Sequence, residues 1–449
     1  MSFSMKFDER RVDEVVAEVK KIVTPSEELR SRLRSVVEEL SERLRRNGLD
    51  FVLGGSYARD TWLSEDQDID FFILYDPALG PDGIAKKGLE DIKRAIDGLP
   101  YWERYAEHPY IEGSLNGVKF NLVPCARTEK GKWITAMDRS RYHNEYLLPR
   151  LNDELRSEIR VFKKFLRSNG VYGAEIKVGG FSGYITEILI VKYGSFKRAL
   201  LEIVNWKKGD IIALEPYSYD PHRVFDTEVI ILDPVDERRN LASAIRKSTL
   251  AKIKILALRF LLSPSMSYFE KTVTPSVLDI GDHVLMVSLR APEAVDDVKW
   301  GMYYRAQQNI INILRQYGFN VIRSAVSESE GWVSFALFLE RTRKAFDLRI
   351  GPQVYLVDNS LQFISKHRIV WAGDDMRLYS FESAKFQDAS EVIGKIKESP
   401  VNNGIPEGLA KSFETSSMAY YFSSLDPGSP YARSAKEAYA SLFETLNSP

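Results

Sequence analysis

Between Leu29 and Leu44 the apolar positions recur every three to four residues. Leu29, Leu33, Val36, Val37, Leu40 and Leu44 form one stripe, and this pattern predicts a helix over residues 24–48. Thr24 reads as its N-cap, Pro25 as its first helical position and Glu27 as the far side of a capping box, with Asn47-Gly48 as the stop. The period then changes. Phe51 to Leu53 and Asp68 to Tyr75 read as strands, separated by a Gly54-Gly55-Ser56 turn and a short helix through Trp62. Pro77, Gly80, Pro81 and Gly83 break the pattern, residues 84–96 read as a helix, and residues 101–108 read as extended. Ile111–Leu115 and Val118–Val123 flank Asn116-Gly117, the dipeptide that closes a two-residue hairpin.

Further on, residues 152–169 predict a helix ended by Gly170, and another helix opens at Gly183-Tyr184. The run from Asp233 to Asn240 reads as a helix N-terminus capped by Asn240, leading into helical residues 241–262. Ser263-Pro264-Ser265 and Thr274-Pro275 mark a linker. Beyond it, a strand at 282–289, a helix at 301–317 and strands at 320–327 and 332–338 give a βαββ order, which suggests an α+β sandwich. After about residue 344 the periodicity weakens, and Pro352, Pro400, Pro406, Pro427 and Pro430 punctuate short helices such as 434–446.

With 449 residues the chain has room for about two to four domains. No run of about 18 apolar residues spans a membrane, and the polar start MSFSMKFDERR lacks a signal-peptide core, so a cytoplasmic location is expected. The single cysteine, Cys125, excludes an intramolecular disulfide framework and a Cys-rich zinc site. A net charge of -1 speaks neither for nor against nucleic acid, because local placement decides. One segment is locally basic: residues 240–269 hold no acid but carry Arg246, Lys247, Lys252, Lys254 and Arg259, either as a solvated face or as an RNA contact.

The candidate chemistry gathers at residues 54–75. On a strand, Asp68 and Asp70 fall on one face, close enough to share cations. Carboxylate oxygens suit Mg²⁺, which takes its remaining ligands from water and phosphate, so a nucleotide is the natural second component. Ser56 and the glycine-rich turn fit its phosphates.

Gly55-Ser56, a spacer and Asp68-x-Asp70 resemble the signature of the DNA polymerase beta-like nucleotidyltransferases. Gly55-Ser56-Tyr57-Ala58-Arg59 looks like the archaeal, class I CCA-adding enzymes among them. The likeness extends through VFKKFLRSNGVYGAE, Gly180-Phe181-Ser182-Gly183-Tyr184 with Glu187, Tyr193-Gly194-Ser195-Phe196, Asp233-Pro234-Val235-Asp236-Glu237-Arg238-Arg239-Asn240, and Ala291 to Asp297. It implies an α+β chain: a polymerase-beta-like head at 1–140, a helical nucleotide- and base-recognition domain at 141–262, an α+β body at 275–343, and a mainly helical tail at 344–449 that contacts tRNA.

It implies that Asp68 and Asp70 hold the metal, that Ser56, Arg59, His143, Lys163 and Tyr172 contact the nucleotide, and that Arg239 with Asp236 reads the base. The third family carboxylate is replaced by Asn121, a neutral amide that binds Mg²⁺ more weakly and takes no proton. A natural variant, a chain altered to slow chemistry and a misaligned strand all stay open, the matching Leu122-Val123-Pro124-Cys125 counting against the last. The implied activity is untemplated addition of C, C and A to the tRNA 3′ end from CTP and ATP, with Mg²⁺, reduced by Asn121. The alternatives are a poly(A)-polymerase-like or oligoadenylate-synthetase-like transferase using ATP alone, or a non-catalytic RNA-binding relative. A homodimer is left open.

Overall fold

The computed structural model describes residues 7–105, 109–270 and 280–443. These residues form two compact units, one reaching to residue 270 and the other spanning residues 280–443.

The first unit begins with a helix that the sequence reading missed, α1 (Glu9–Val23). Asp8 caps it, and Val12, Val15, Val16, Val19 and Val23 are all buried on one face. Burying a valine contributes roughly 1.5–3 kcal/mol, so this face is enough to fix the helix. Thr24 therefore ends α1 rather than starting the next helix, its hydroxyl donating to Lys20 O at 2.6 Å. Ser26 is the N-cap of α2 (Glu27–Arg46) instead.

Then come β1 (Phe51–Gly54), α3 (Gly55–Ala58), β2 (Ile69–Tyr75), α4 (Gly80–Ala95), β3 (Tyr101–Tyr105), β4 (Pro109–Leu115) and β5 (Val118–Ala126). The last three residues of the extended segment expected at 101–108 lie outside the described residues. The five strands form one mixed sheet in the order β1-β2-β5-β4-β3, with β2 and β5 parallel. Asn116 and Gly117 both have positive φ, as the hairpin turn between β4 and β5 requires. Ile69, Phe71 and Ile73 of β2 bury one sheet face against Leu33, Val36, Leu40 and Leu44 of α2. By the period of two, Asp70 lies on the opposite face, with Phe72 two residues on.

After it come α5 (Arg139–Leu147), α6 (Asp153–Ser168), α7 (Gly183–Tyr193), α8 (Phe196–Asn205), β6 (Asp210–Ile212), β7 (Val229–Asp233), β8 (Asp236–Asn240) and α9 (Lys247–Leu262). Their apolar faces and that of α1 form a second core. Asp233 to Asn240 is thus a strand hairpin and not a helix start, although the Asn240 side chain does accept from Ala242 N in the following 3₁₀ turn. Part of the expected linker is core: Tyr268 and Phe269 are buried against Phe165 and Phe260. Part of the basic stretch is tied into the fold. Lys254 donates to the carbonyls of Ile203, Val204 and Trp206 at the end of α8, and Lys247 pairs with Glu228.

The second unit holds β9 (Val284–Arg290), α10 (Asp296–Gln316), β10 (Val321–Ser329) and β11 (Trp332–Leu339), the βαββ order expected. Its later part adds β12 (Phe346–Gln353), α11 (Val357–Lys366), β13 (Val370–Ala372), β14 (Arg377–Ser383), α12 (Ala389–Glu398), α13 (Glu407–Ser416), β15 (Met418–Tyr421) and α14 (Ala432–Ser441). The helices of the tail were expected; its four strands were not. β15 joins the main antiparallel sheet, in the order β10-β11-β9-β15, and β12-β14-β13 makes a sheet of its own. Val392, Ile393, Leu409 and Phe413 share one core with Tyr303 and Ile310, so the tail helices α12 and α13 pack with the body.

Candidate active site

Two groups of polar side chains meet in the first unit, one on the head sheet and one between α5, α7 and the β7–β8 hairpin. On the sheet, Asp70 of β2 stands beside Asn121 of β5 in register, and the Asn121 amide donates to Asp70 Oδ1 at 2.9 Å. Asp68 precedes the strand by one residue, on the face of Asp70. Burial raises the pKa of both carboxyls; the neighbouring charge of Asp66 adds to this at Asp68, and at Asp70 that of Asp68 does, against the Asn121 hydrogen bond. Such a pair is relieved by a cation. Among the described residues no three His, Cys, Asp or Glu side chains converge on a metal position, and an amide sits where a third carboxylate would complete the set. The donors present, two carboxylates and an amide oxygen, are all hard oxygen ligands.

The turn before this pair is built around Asp70. Gly55 has φ +62°, and a Cβ there would lie 1.9 Å from Asp70 Oδ2; a Cβ on Gly54 would strike the Phe72 ring at 2.1 Å. Both glycines let the chain pass directly over the carboxylate. Ser56 follows on α3, its carbonyl accepting from Thr61 N at 2.9 Å.

Arg59 and Lys163 are not open cations. Arg59 Nε donates to Glu187 Oε2 at 2.8 Å, and its Nη1 to Asn144 Oδ1. Lys163 is 1% exposed and gives its protons to Thr61 O, Thr61 Oγ1 and Glu187 Oε1, each at 3.1 Å. The sequence reading set Lys163 on a flank of its helix; α6 buries it because Glu187 of α7 supplies the counter-charge. Burial works against ionising Glu187, yet Arg59 and Lys163 hold it below the ordinary carboxylate range. Tyr172 is half-buried nearby, its hydroxyl 3.0 Å from where a Gly183 Cβ would stand.

The second group centres on Asp233, at the end of β7 and 1% exposed. Its Oδ2 meets His143 Nε2 at 3.0 Å and Arg239 Nη1 at 3.1 Å, while Oδ1 accepts from Val235 N at 3.0 Å and from the Tyr184 hydroxyl at 3.3 Å. The His143 ring stacks on Tyr184 with centroids 3.9 Å apart. Asp236, expected as the acid working with Arg239, is instead held by Arg139 Nε at 2.8 Å. The acid that contacts Arg239 is Asp233, because the tight β7–β8 turn aims residue 233, and not residue 236, at it. The missed residues are Asp233, Tyr184 and Glu187. All three lie in the runs that carry the family resemblance, and their further signal was charged or hydroxyl groups inside apolar runs, VIILD and GYITEILIV. Arg59 links the two groups, its charge being felt by Asp70 and by His143.

Residues 33–143 match the nucleotidyltransferase domain family, residues 157–270 the second domain of tRNA nucleotidyltransferases, and residues 280–416 the C-terminal domain of CCA-adding enzymes. A CCA-adding enzyme of Saccharolobus islandicus (strain M.14.25) is 39% identical over 383 residues, covering 84% of this chain and 90% of that protein. Those of Saccharolobus solfataricus and Sulfolobus acidocaldarius are 38% and 33% identical over the same shares of both chains. The solved Cid1 poly(U) polymerase is a looser likeness, with a TM-score of 0.47 at 14% identity over 59% of this chain and 99% of that one. With relatives this similar over most of its length, and with head, second and C-terminal domain families matched in order, the chain belongs to the archaeal CCA-adding enzymes, a family of nucleotidyltransferases.

Proposed function

We propose that this chain adds C, C and A to the 3′ end of tRNA from CTP and ATP, without a nucleic-acid template and with release of pyrophosphate, and that it works in the cytoplasm. In this reading Asp68, Asp70 and the Asn121 oxygen hold Mg²⁺, which would neutralise charge on the phosphates and on the attacking 3′-hydroxyl. The observation that carries it is the side-by-side register of Asp70 and Asn121 under the Gly55 turn, where backbone and two strands converge. Ser56 and the turn lie beside the carboxylates, at the place a triphosphate would occupy. Arg59 and Lys163 would act by exchanging their Glu187 contact for phosphate oxygens, and Tyr172 by lying against the sugar or base. His143 and Arg239 are assigned to the base. Asn121 lowers the rate because an amide neutralises less of the cation's charge than a carboxylate. The second unit is assigned to gripping the tRNA by shape and phosphate contacts; whether two copies act together is a separate matter of solution mass.

The test is incorporation of labelled CTP and ATP into a tRNA lacking its terminal CCA. The expected result is two additions with CTP alone and three with CTP and ATP. Extended runs of A from ATP alone would favour a poly(A)-polymerase-like enzyme instead.

A further inference from the structure

Asp233 is buried, carries four hydrogen-bond partners and touches neither of the carboxylates assigned to metal. So much polar investment in one side chain calls for a role. Both members of the proposed base-reading pair, His143 and Arg239, rest on the same oxygen, Oδ2, whereas Oδ1 is tied to the hairpin backbone at Val235 and to Tyr184. The carboxylate therefore fixes the position of two residues that lie 96 apart in sequence (239 minus 143).

Its effect on His143 goes beyond position. A carboxylate only accepts hydrogen bonds, so the His143 nitrogen facing it, Nε2, carries the ring proton. Burial lowers the pKa of His143, against the pull of Asp233, so the ring is neutral near pH 7 and Nδ1 is left as an acceptor. Among the described residues Nδ1 has no hydrogen-bond partner and is not a sealed, unpartnered atom, so it is open to a ligand. Tyr184, stacked at 3.9 Å, fixes the plane in which that lone pair points. Arg239, anchored through one Nη, is 42% exposed in its side chain and keeps further N–H groups to offer.

Building on the functional reading above, we propose that Asp233 is a positioning residue for base choice. It sets His143 with its proton on Nε2, so that Nδ1 accepts, beside an Arg239 that donates. This acceptor-and-donor pair matches what cytosine and adenine share, an exocyclic amino group next to an unprotonated ring nitrogen. Uracil and guanine present a carbonyl next to an N–H at the same places, so each hydrogen bond meets its like. One fixed pair thereby accepts two bases of different size and rejects the other two, and a site built to hydrogen-bond discriminates strongly against a mismatched edge.

The full-length chain carries the test. Single-nucleotide addition to tRNA lacking CCA is measured with CTP against UTP, and with ATP against GTP, for wild type, Asp233→Asn and His143→Phe. The Phe variant keeps an aromatic ring against Tyr184 and removes the Nδ1 acceptor together with the Nε2–H that donates to Asp233. Both variants are expected to lose selectivity by a factor on the order of 10 to 100. In wild-type protein labelled with ¹⁵N-histidine, only five histidines contribute, and His143 is assigned as the signal missing in His143→Phe. Its Nδ1 is expected to be unprotonated, and Asp233→Asn to mix the tautomers. Unchanged selectivity in His143→Phe, or a proton on Nδ1 in the wild type, overturns the proposal even if Asp233→Asn does not fold. A wild type that transfers neither C nor A overturns the functional reading instead, while the tautomer still reports on the clamp.

Discussion

Asp70 and Asn121 face each other across the parallel pair β2–β5, with the asparagine amide donating to the aspartate at 2.9 Å. The contact lets a neutral side chain satisfy a carboxylate that burial and Asp68 would otherwise leave strained. It also occupies an oxygen that a cation would need, so this pair decides how readily the head sheet takes up metal.

Gly55 is the most exacting position in the turn. A Gly55→Ala change puts Cβ into Asp70 and asks alanine to adopt φ +62°. Since a misplacement of about 1 Å at a reacting centre costs roughly 100-fold, transfer activity should fall by about that factor while tRNA binding persists. Equal activity in the two proteins would show that the turn does not position the carboxylate.

Glu187 joins Arg59 of the head to Lys163 of α6. Replacing it by glutamine leaves two buried cations without their counter-charge, which should destabilise the first unit by about 3–5 kcal/mol at neutral pH. The folded pKa of Glu187 lies below its ordinary value, so its contribution is complete above the ordinary glutamate range and is lost as pH falls through the lower folded value. The stability gap between wild type and Glu187→Gln should therefore narrow in acid, as read by denaturant unfolding across a pH series. A constant gap would place the ionised form of Glu187 outside the stabilising network.

Arg239→Ala should admit UTP and GTP, because base-edge hydrogen bonds carry selectivity while the phosphates are held elsewhere. Steady-state kinetics with all four nucleotides checks this. Unaltered discrimination would move base reading away from the β7–β8 hairpin.

The end of the first unit is sharper than its composition suggests. A chain stopped at Leu262 loses Tyr268 and Phe269 from the aromatic cluster around Phe165, Phe196 and Phe260, and removing a buried aromatic costs about 3–5 kcal/mol. One stopped at Glu270 keeps both. The longer version should melt at the higher temperature and bind CTP and ATP, yet lose tRNA affinity together with part of its salt dependence. Full tRNA affinity and an unchanged salt slope at Glu270 would remove RNA gripping from the second unit.

The head was legible because its signals are local. Alternation set Asp68 and Asp70 on one face, and Asn116-Gly117 marked the β4–β5 hairpin, whereas the parallel β2–β5 pairing that brings Asn121 beside Asp70 is non-local and has no turn to announce it. Helix α1 was legible too, from Asp8 and the valine spacing, but went unread. Asp233 and Glu187 were of another kind. Each looks like a solvated acid at a strand end or on a helix, and only partners remote in sequence, His143 and Arg59, make burial tolerable. β12 carried the alternation Phe346, Leu348 and Ile350, but these side chains stay exposed and feed no core that would have marked the strand.

The most direct measurement of the central claim is Mg²⁺-dependent C and A addition to tRNA lacking CCA by three proteins: wild type, Asn121→Asp, and Asn121→Asp with Asp70→Ala. If Asp68, Asp70 and residue 121 hold the catalytic metal, restoring the carboxylate raises the rate at least about 10-fold, and removing Asp70 abolishes addition while tRNA binding stays near normal. Normal addition without Asp70, or no gain from aspartate at 121, contradicts the assignment.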